Sequence, residues 1–353
     1  MRTQNDVPLS SKKRGRKADA CITYPLNRHS RHSTHKPITT IASVDWYEIG
    51  AVVTWNGYSP SELEEAFLKA QRTNRSVECT VGRYSVRVHP SGFGKDRESR
   101  MRYRVTWKDI VVGISARHST NRKLYNFYLC ASGKACVMLG LEAILEFQNS
   151  LIHALGGRLK DSWIKRIDVC LDIRNYPVID ELIRSLRDGR YVTSGRKRRG
   201  QKSPLAFYET GFAISSRNIR LTAYDKLAEM TKKKRGNDYR QAMIQKRWGG
   251  ELPTSASRIE FQILKGRLFD IDMKTARDVL DRLSEVVADA TAESPRCFFR
   301  LTESPPDSKN GHQSRAKTLP LWKWIIECFR AGFPATPQPL EKSYRGLKTK
   351  PTV

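Results

Sequence analysis

Three stretches of the chain place reactive side chains at every second position. They read Arg166-Ile167-Asp168-Val169-Cys170-Leu171-Asp172, Arg220-Leu221-Thr222-Ala223-Tyr224-Asp225-Lys226 and Arg258-Ile259-Glu260-Phe261-Gln262. In a β-strand, residues two apart share a face. One face therefore collects Arg166, Asp168 and Asp172, then Arg220, Tyr224 and Lys226, then Arg258, Glu260 and Gln262. The opposite face collects Ile167, Val169, Leu171, Leu221, Ala223, Ile259 and Phe261. Strands of this kind in one sheet bring carboxylates, a phenol and cations together over an apolar layer. That combination suits metal-assisted chemistry on a phosphate.

Acidic residues are disfavoured in strands, so two on one face of an apolar strand are informative. Asp168 and Asp172 lie four strand residues apart, roughly 13 Å by strand rise, too far to chelate one ion together. One of them with Glu260 is the expected ligand set, and Mg²⁺ or Mn²⁺ suits such an incomplete oxygen cage. The bland alternative is a solvated sheet face carrying the ion pairs Arg166–Asp168 and Arg258–Glu260. Tyr224 is the candidate nucleophile. A phenol with a pKa of about 10 needs help to ionise, which Arg220 and Lys226 on the same face would supply, with Arg258 offsetting charge on the phosphate. Tyr239 is a second candidate and Tyr208 a weaker third. No His-hydrophobic-His triplet and no Gly-x-x-x-x-Gly-Lys-Ser/Thr loop occur, which argues against a histidine-metal site and against ATP-driven work.

Charge names the partner class. Among 353 residues, 64 Lys+Arg stand against 36 Asp+Glu, a net charge of +28. So basic a chain seeks polyanions, and DNA is the first expectation. The runs Arg196-Lys197-Arg198-Arg199 and Lys232-Lys233-Lys234-Arg235 are the expected grips on DNA backbone. Seven scattered cysteines form no C-x-x-C pair, and no apolar stretch approaches membrane length. A soluble, reduced, cytoplasmic protein without membrane contact is expected.

The positioning elements follow from periodicity. Residues 1–37 read as a basic disordered arm. Strands are expected at Ile41–Ile49, Ala51–Trp55, Arg83–His89, Met101–Trp107, Ile110–Ile114, Leu124–Leu129, Leu205–Ile214 and Asn218–Tyr224, besides the three motif stretches. Helices are expected at Pro60–Gln71, with Ser59 as N-cap, and at Leu141–Leu155, Asp180–Arg187, Leu227–Gly249, Thr275–Ala292 and Leu319–Phe333. The class is α+β, an antiparallel-rich mixed sheet with helices packed on one face. The expected organisation is the arm at 1–37, one main domain at 38–293, a linker at 294–318, and a terminal helix and tail at 319–353.

Five short motifs in order carry a family resemblance: Asp45-Trp46, Ser132-Gly133, Arg166-Ile167-Asp168 with Asp172, Arg220 to Lys226, and Arg258-Ile259-Glu260. Their order resembles the Rep_trans-type replication initiation factors of rolling-circle plasmids and filamentous phages, a family that includes some conjugative relaxases. The likeness covers roughly residues 41–290. It implies a metal-dependent endonuclease that nicks one strand at a replication origin through a tyrosine, stays covalently attached and later rejoins the ends. The implied partners are single- and double-stranded origin DNA, a host helicase or polymerase and a second copy of the chain, in a bacterial cytoplasm. The segment after Tyr224-Asp225-Lys226 is long and basic, which leaves the nucleophile open between Tyr224 and Tyr239. Two rivals remain, a DNA-binding repressor without cleavage and a structural RNA-binding protein. Neither gains from carboxylates beside a polyanion.

Overall fold

The computed structural model describes residues 37–56, 61–94, 101–115, 125–195, 204–232, 236–293, 297–305 and 315–334. The chain opens with strand β1 (Thr39–Trp55) and helix α1 (Ser61–Thr73), then strands β2 (Val77–Val81), β3 (Tyr84–Val88), β4 (Tyr103–Trp107), β5 (Ile110–Ile114) and β6 (Phe127–Ala131). Helices α2 (Gly133–Leu139) and α3 (Leu141–Ala154) lead into the long strand β7 (Gly157–Arg174). Helix α4 (Val178–Arg187) precedes β8 (Tyr191–Thr193), β9 (Leu205–Tyr208), β10 (Gly211–Ser215) and β11 (Ile219–Asp225). Next come α5 (Lys226–Lys232), α6 (Asn237–Ala242), a π-helical turn (Met243–Arg247) and β12 (Ala256–Leu264). Helices α7 (Lys265–Asp270), α8 (Ala276–Asp281) and α9 (Leu283–Ala290), strand β13 (Phe299–Leu301) and helix α10 (Pro320–Gly332) complete the order.

Eleven strands form one sheet in the order β2-β3-β4-β5-β6-β1-β7-β12-β11-β10-β9. Every pairing in it is antiparallel. The class is α+β, as the order of elements implied. The spine is the long β1–β7 pair, and three register shifts along it mark bulges. Two strands were expected where β1 runs unbroken through Gly50. A Cβ there would meet the Trp163 ring at 3.2 Å, so the glycine admits that ring and does not end the strand. The expected strand Leu205–Ile214 is instead the hairpin β9–β10. The expected helix Thr275–Ala292 breaks at Arg282 into α8 and α9, although Thr275 does cap α8, with a full capping box to Asp278.

The alternation read from the motifs sets the layers. Ile167, Val169, Leu171, Leu221, Ala223, Ile259 and Phe261 join the large apolar core with residues of α3, α4, α8, α9 and α10. On the opposite face a smaller core of Val137, Met230, Tyr239, Met243, Trp248 and Ala256 fastens α2, α5, α6 and the π-helical turn beside the motif residues. Helix α10 is held to the sheet by Phe329, which is fully buried and meets Phe261 edge-on at 5.5 Å between ring centres. No single described helix is long and apolar enough to cross a membrane. Replacing Phe329 with alanine removes that anchor, and denaturant unfolding should show a loss of about 3–5 kcal/mol. A loss below about 1 kcal/mol would mean α10 does not belong to the core.

Candidate active site

Three adjacent strands carry the motif residues, and their register fixes which ones meet. Asp172 lies opposite Arg258 on β12, Gln262 lies opposite Asp168, and Tyr224 on β11 lies opposite Arg258. Arg258 is fully buried and donates from Nε and Nη2 to the two oxygens of Asp172 at 2.6 and 2.8 Å. Its Nη1 donates to Asp45 Oδ2 at 2.9 Å. Asp45 sits in the β1 bulge between Val44 and Trp46, which lets Asp45 and its neighbour Trp46 both face the motif side. The fit is tight, because a Cβ on Gly133 would lie 3.0 Å from Asp45 Oδ2. Arg247, from the π-helical turn, reaches the same carboxylate at 3.6 Å and donates to the Val44 carbonyl at 3.1 Å. Burial pushes the Asp172 carboxyl up, but the charges of Arg258, Arg247 and Lys226 outweigh it and hold the group below its ordinary value.

Above this buried network opens a cleft of about 640 Å³. Asp45, Trp46, Asp168, Arg166, Glu260, Thr222, Tyr224 and Lys226 line it, with Ser132, Gly133 and Lys134 from the start of α2 and with Tyr208, Thr210 and Glu229. Arg166 clasps Asp168, with Nε 2.8 Å from Oδ1, while its guanidinium lies 4.3 Å above the Trp46 ring centre. Glu260 stands diagonally across from Asp168 on the neighbouring strand. Burial, then the nearby charges of Asp45 and Asp168, push the Glu260 carboxyl up to about 8. Asp168 is also raised by burial, with Arg166 pulling the other way. Arg166 thus opposes the effect of burial at Asp168, whereas at Glu260 burial and two acidic neighbours act together, so Glu260 is the readier of the two to hold a proton.

The Tyr224 hydroxyl donates to Glu260 Oε2 at 3.4 Å, a long contact that a bound substrate would have to tighten. Burial raises the phenol well above its ordinary value despite the Arg258 charge. Lys226 is buried, bonds Glu229 Oε2 at 3.0 Å, and stands 5.7 Å from the ring centres of both Tyr224 and Tyr239. Arg220 stands at the rim and donates to the Tyr208 hydroxyl at 3.2 Å.

The structure therefore divides the expected residues. Asp168, Glu260, Tyr224 and Lys226 share the cleft. Asp172 and Arg258 lie beneath it, fully buried, bonded to one another and outside the cleft lining. Tyr239 is 1% exposed inside the smaller core, away from the cleft lining. Arg196, Lys197, Arg198 and Arg199 lie outside the described residues, as do Lys233, Lys234, Arg235 and the side chain of Lys232. Sequence reasoning gave no role to Asp45, Arg247 or Glu229. Asp45 was visible as half of an Asp-Trp pair, but nothing local announces a bulge or a π-helical turn.

Among the described residues no group of three or more His, Cys, Asp and Glu side chains is arranged to hold a metal ion. The neighbouring carboxyl groups of Asp168 and Glu260, which open on the cleft, nonetheless offer the hard oxygen donors that a divalent cation prefers. No family model and no curated protein matches the chain. One similar solved structure is described as a rolling circle replication initiator protein from Geobacillus stearothermophilus. It has a TM-score of 0.44 and 13% identity, covering 83% of this chain and 97% of that one. A likeness of that degree leaves the functional reading to the site itself.

Two expectations follow from these charges. Arg258→Met strands two buried carboxylates and should cost about 3–5 kcal/mol in urea unfolding. Adding Asp172→Leu should recover part of that loss, and a double variant no better than the single would contradict the paired reading. Glu260 binds its proton more tightly folded than unfolded, so it lowers stability as pH rises from 4.5 towards about 8. The melting temperature of Glu260→Gln should therefore gain on the parent between pH 5 and pH 9, and a constant difference would show that Glu260 is ionised throughout.

Proposed function

We propose that the chain nicks and rejoins single DNA strands through a phosphotyrosine, acting as a replication initiator of the rolling-circle kind. One observation carries the reading: a tyrosine hydroxyl bonded to a raised carboxyl, in an open polar cleft of a protein of net charge +28. In the proposed step Glu260 first releases its own proton to solvent, and Tyr224 Oη then attacks the scissile phosphorus as the phenol proton passes to the ionised carboxylate. The Oη–P bond forms, the P–O3′ bond breaks, and the departing 3′ oxygen takes a proton to become a hydroxyl. Rejoining reverses these changes, so the bond energy is kept in the phosphotyrosine.

The groups around Tyr224 have distinct tasks. Glu260 receives the proton, and its raised affinity for protons makes it an effective acceptor near neutral pH. Asp168, fixed by Arg166, sets where the Glu260 proton sits in the resting state. Lys226, 5.7 Å from the Tyr224 ring centre, offsets the charge that grows on the phenolate. Mg²⁺ or Mn²⁺ held by Asp168 and Glu260 would supply Lewis-acid polarisation of the phosphate when bound. Arg258 and Asp172 hold the strands in register and touch no substrate.

A repressor without cleavage is the remaining alternative, and the acid pair weighs against it because negative charge beside DNA weakens a mere binder. Incubating protein with supercoiled origin DNA and Mn²⁺ separates the two. The parent and Tyr239→Phe should yield open circles bearing covalent protein. Tyr224→Phe should bind the DNA and yield none, and Glu260→Gln should nick at least about 100-fold more slowly. Undiminished adduct from Tyr224→Phe would reject the assignment.

A further inference from the structure

The proposed chemistry leaves one prominent cleft residue without a task. Tyr208 lines the cleft and is 52% exposed, an unusual placement for a large aromatic side chain. It belongs to β9, the last strand of the eleven-stranded sheet. The register aligns Tyr224, Gly211 and Tyr208 in one row across β11, β10 and β9. Two strand spacings put the two tyrosines roughly 10 Å apart along the sheet. Only a glycine stands between them. That glycine is enforced, since a Cβ at Gly211 would lie 2.0 Å from the Ala223 carbonyl oxygen and 2.7 Å from the Tyr224 Cα. The row therefore has a tyrosine at each end and nothing projecting in the middle.

Tyr208 is also held in place. Arg220 Nη2 donates to its hydroxyl at 3.2 Å, so the ring is braced at its polar tip while much of its surface faces solvent. The Arg220 Nε is buried and has no hydrogen-bond partner among the described residues. A braced, exposed aromatic ring with a cation at its edge is the usual platform for an unpaired nucleobase, whose π-face stacks on the ring while the cation meets the backbone.

We infer that Tyr208 is a nucleotide-positioning residue, stacking the base beside the scissile phosphate so that the phosphate lies over Tyr224. The inference rests on the DNA-nicking reading and adds to it a requirement for single-stranded substrate at the cleft. A base within duplex DNA has both faces covered by its neighbours and offers none to Tyr208. The Gly211 gap provides the room for the sugar and phosphate that join the stacked base to the site of attack. Tyr208 acts through the substrate position and takes no part in bond making.

The test uses the full-length chain and a fluorescein-labelled twelve-nucleotide oligodeoxythymidylate, with the matching duplex as control, read by anisotropy. Stacking of one base is worth a factor of roughly 5 to 100 in affinity. Tyr208→Ala should lose that factor on the single strand and leave duplex affinity unchanged. Tyr208→Phe should stay within about threefold of the parent, because the ring and not the hydroxyl is the platform. On origin DNA, Tyr208→Ala should still form the covalent adduct at saturating substrate, with the deficit appearing in KM. Equal single-strand affinity for parent and Tyr208→Ala overturns the inference and leaves the nicking proposal standing. A parent that binds neither probe removes both.

Discussion

One buried guanidinium sets the geometry on which the site depends. Arg258 is fully buried in β12, yet it bonds Asp172 on β7 through two contacts and Asp45 on β1 through a third. Burying a cation costs several kcal/mol unless every proton finds a charged or polar acceptor. Arg258 and its two partners stand on three neighbouring strands, so the requirement to satisfy Arg258 fixes the mutual register of β1, β7 and β12. The bulge at Asp45 lets Asp45 and Trp46 both face the motif side, where they line the cleft together. Arg247 then ties the helical layer above to the same carboxylate. The cleft is what remains between the strands so fixed and the helices so tied.

The same sheet treats its carboxylates in opposite ways. Asp172 has a bidentate arginine and stays ionised below the ordinary range, while Glu260 has acidic neighbours and rises to about 8. Separating titrating groups in this manner is how a protein assigns structural charge to one acid and proton traffic to another. Tyr224 is tied to the second kind. A phenol raised by burial is a poor nucleophile at rest, so the proposed chemistry requires bound substrate to activate it. Lys226, 5.7 Å from the Tyr224 ring centre, would offset the charge that grows on the phenolate.

Much of this was legible in the residues, and what was not has a physical reason. Period-two alternation identified the strands of Arg166, Arg220 and Arg258 and divided polar from apolar faces correctly, because one face packs into the large apolar core and the pattern must record it. It could not show that Arg258 and Asp172 pair with each other below the cleft, since register is a long-range property. The Arg258–Glu260 ion pair of the bland alternative is not formed, as Asp172 directly across the strands takes both Nε and Nη2 of Arg258. The hairpin at Glu209-Thr210 was hidden by its lack of Gly-Asn or Asp-Gly turn signals. It is this hairpin that lifts Tyr208 from a strand interior to the rim. Arg247 was unreadable because a π-helical turn shifts which side of a helix faces inward, and nothing in Met243–Arg247 announces it.

The central claim is that Tyr224 becomes covalently joined to DNA, and the chain offers a direct way to read it. Trypsin cuts after Arg220 and Lys226, releasing Leu221–Lys226, a six-residue peptide with one tyrosine. The covalent complex formed on origin DNA with Mn²⁺ would be digested with nuclease and trypsin, and the nucleotide-bearing peptide sequenced by tandem mass spectrometry. The account predicts a nucleotide phosphate on Tyr224 in that peptide. A nucleotide on Tyr208 or Tyr239, or a cleaved strand with no peptide attached, would contradict it.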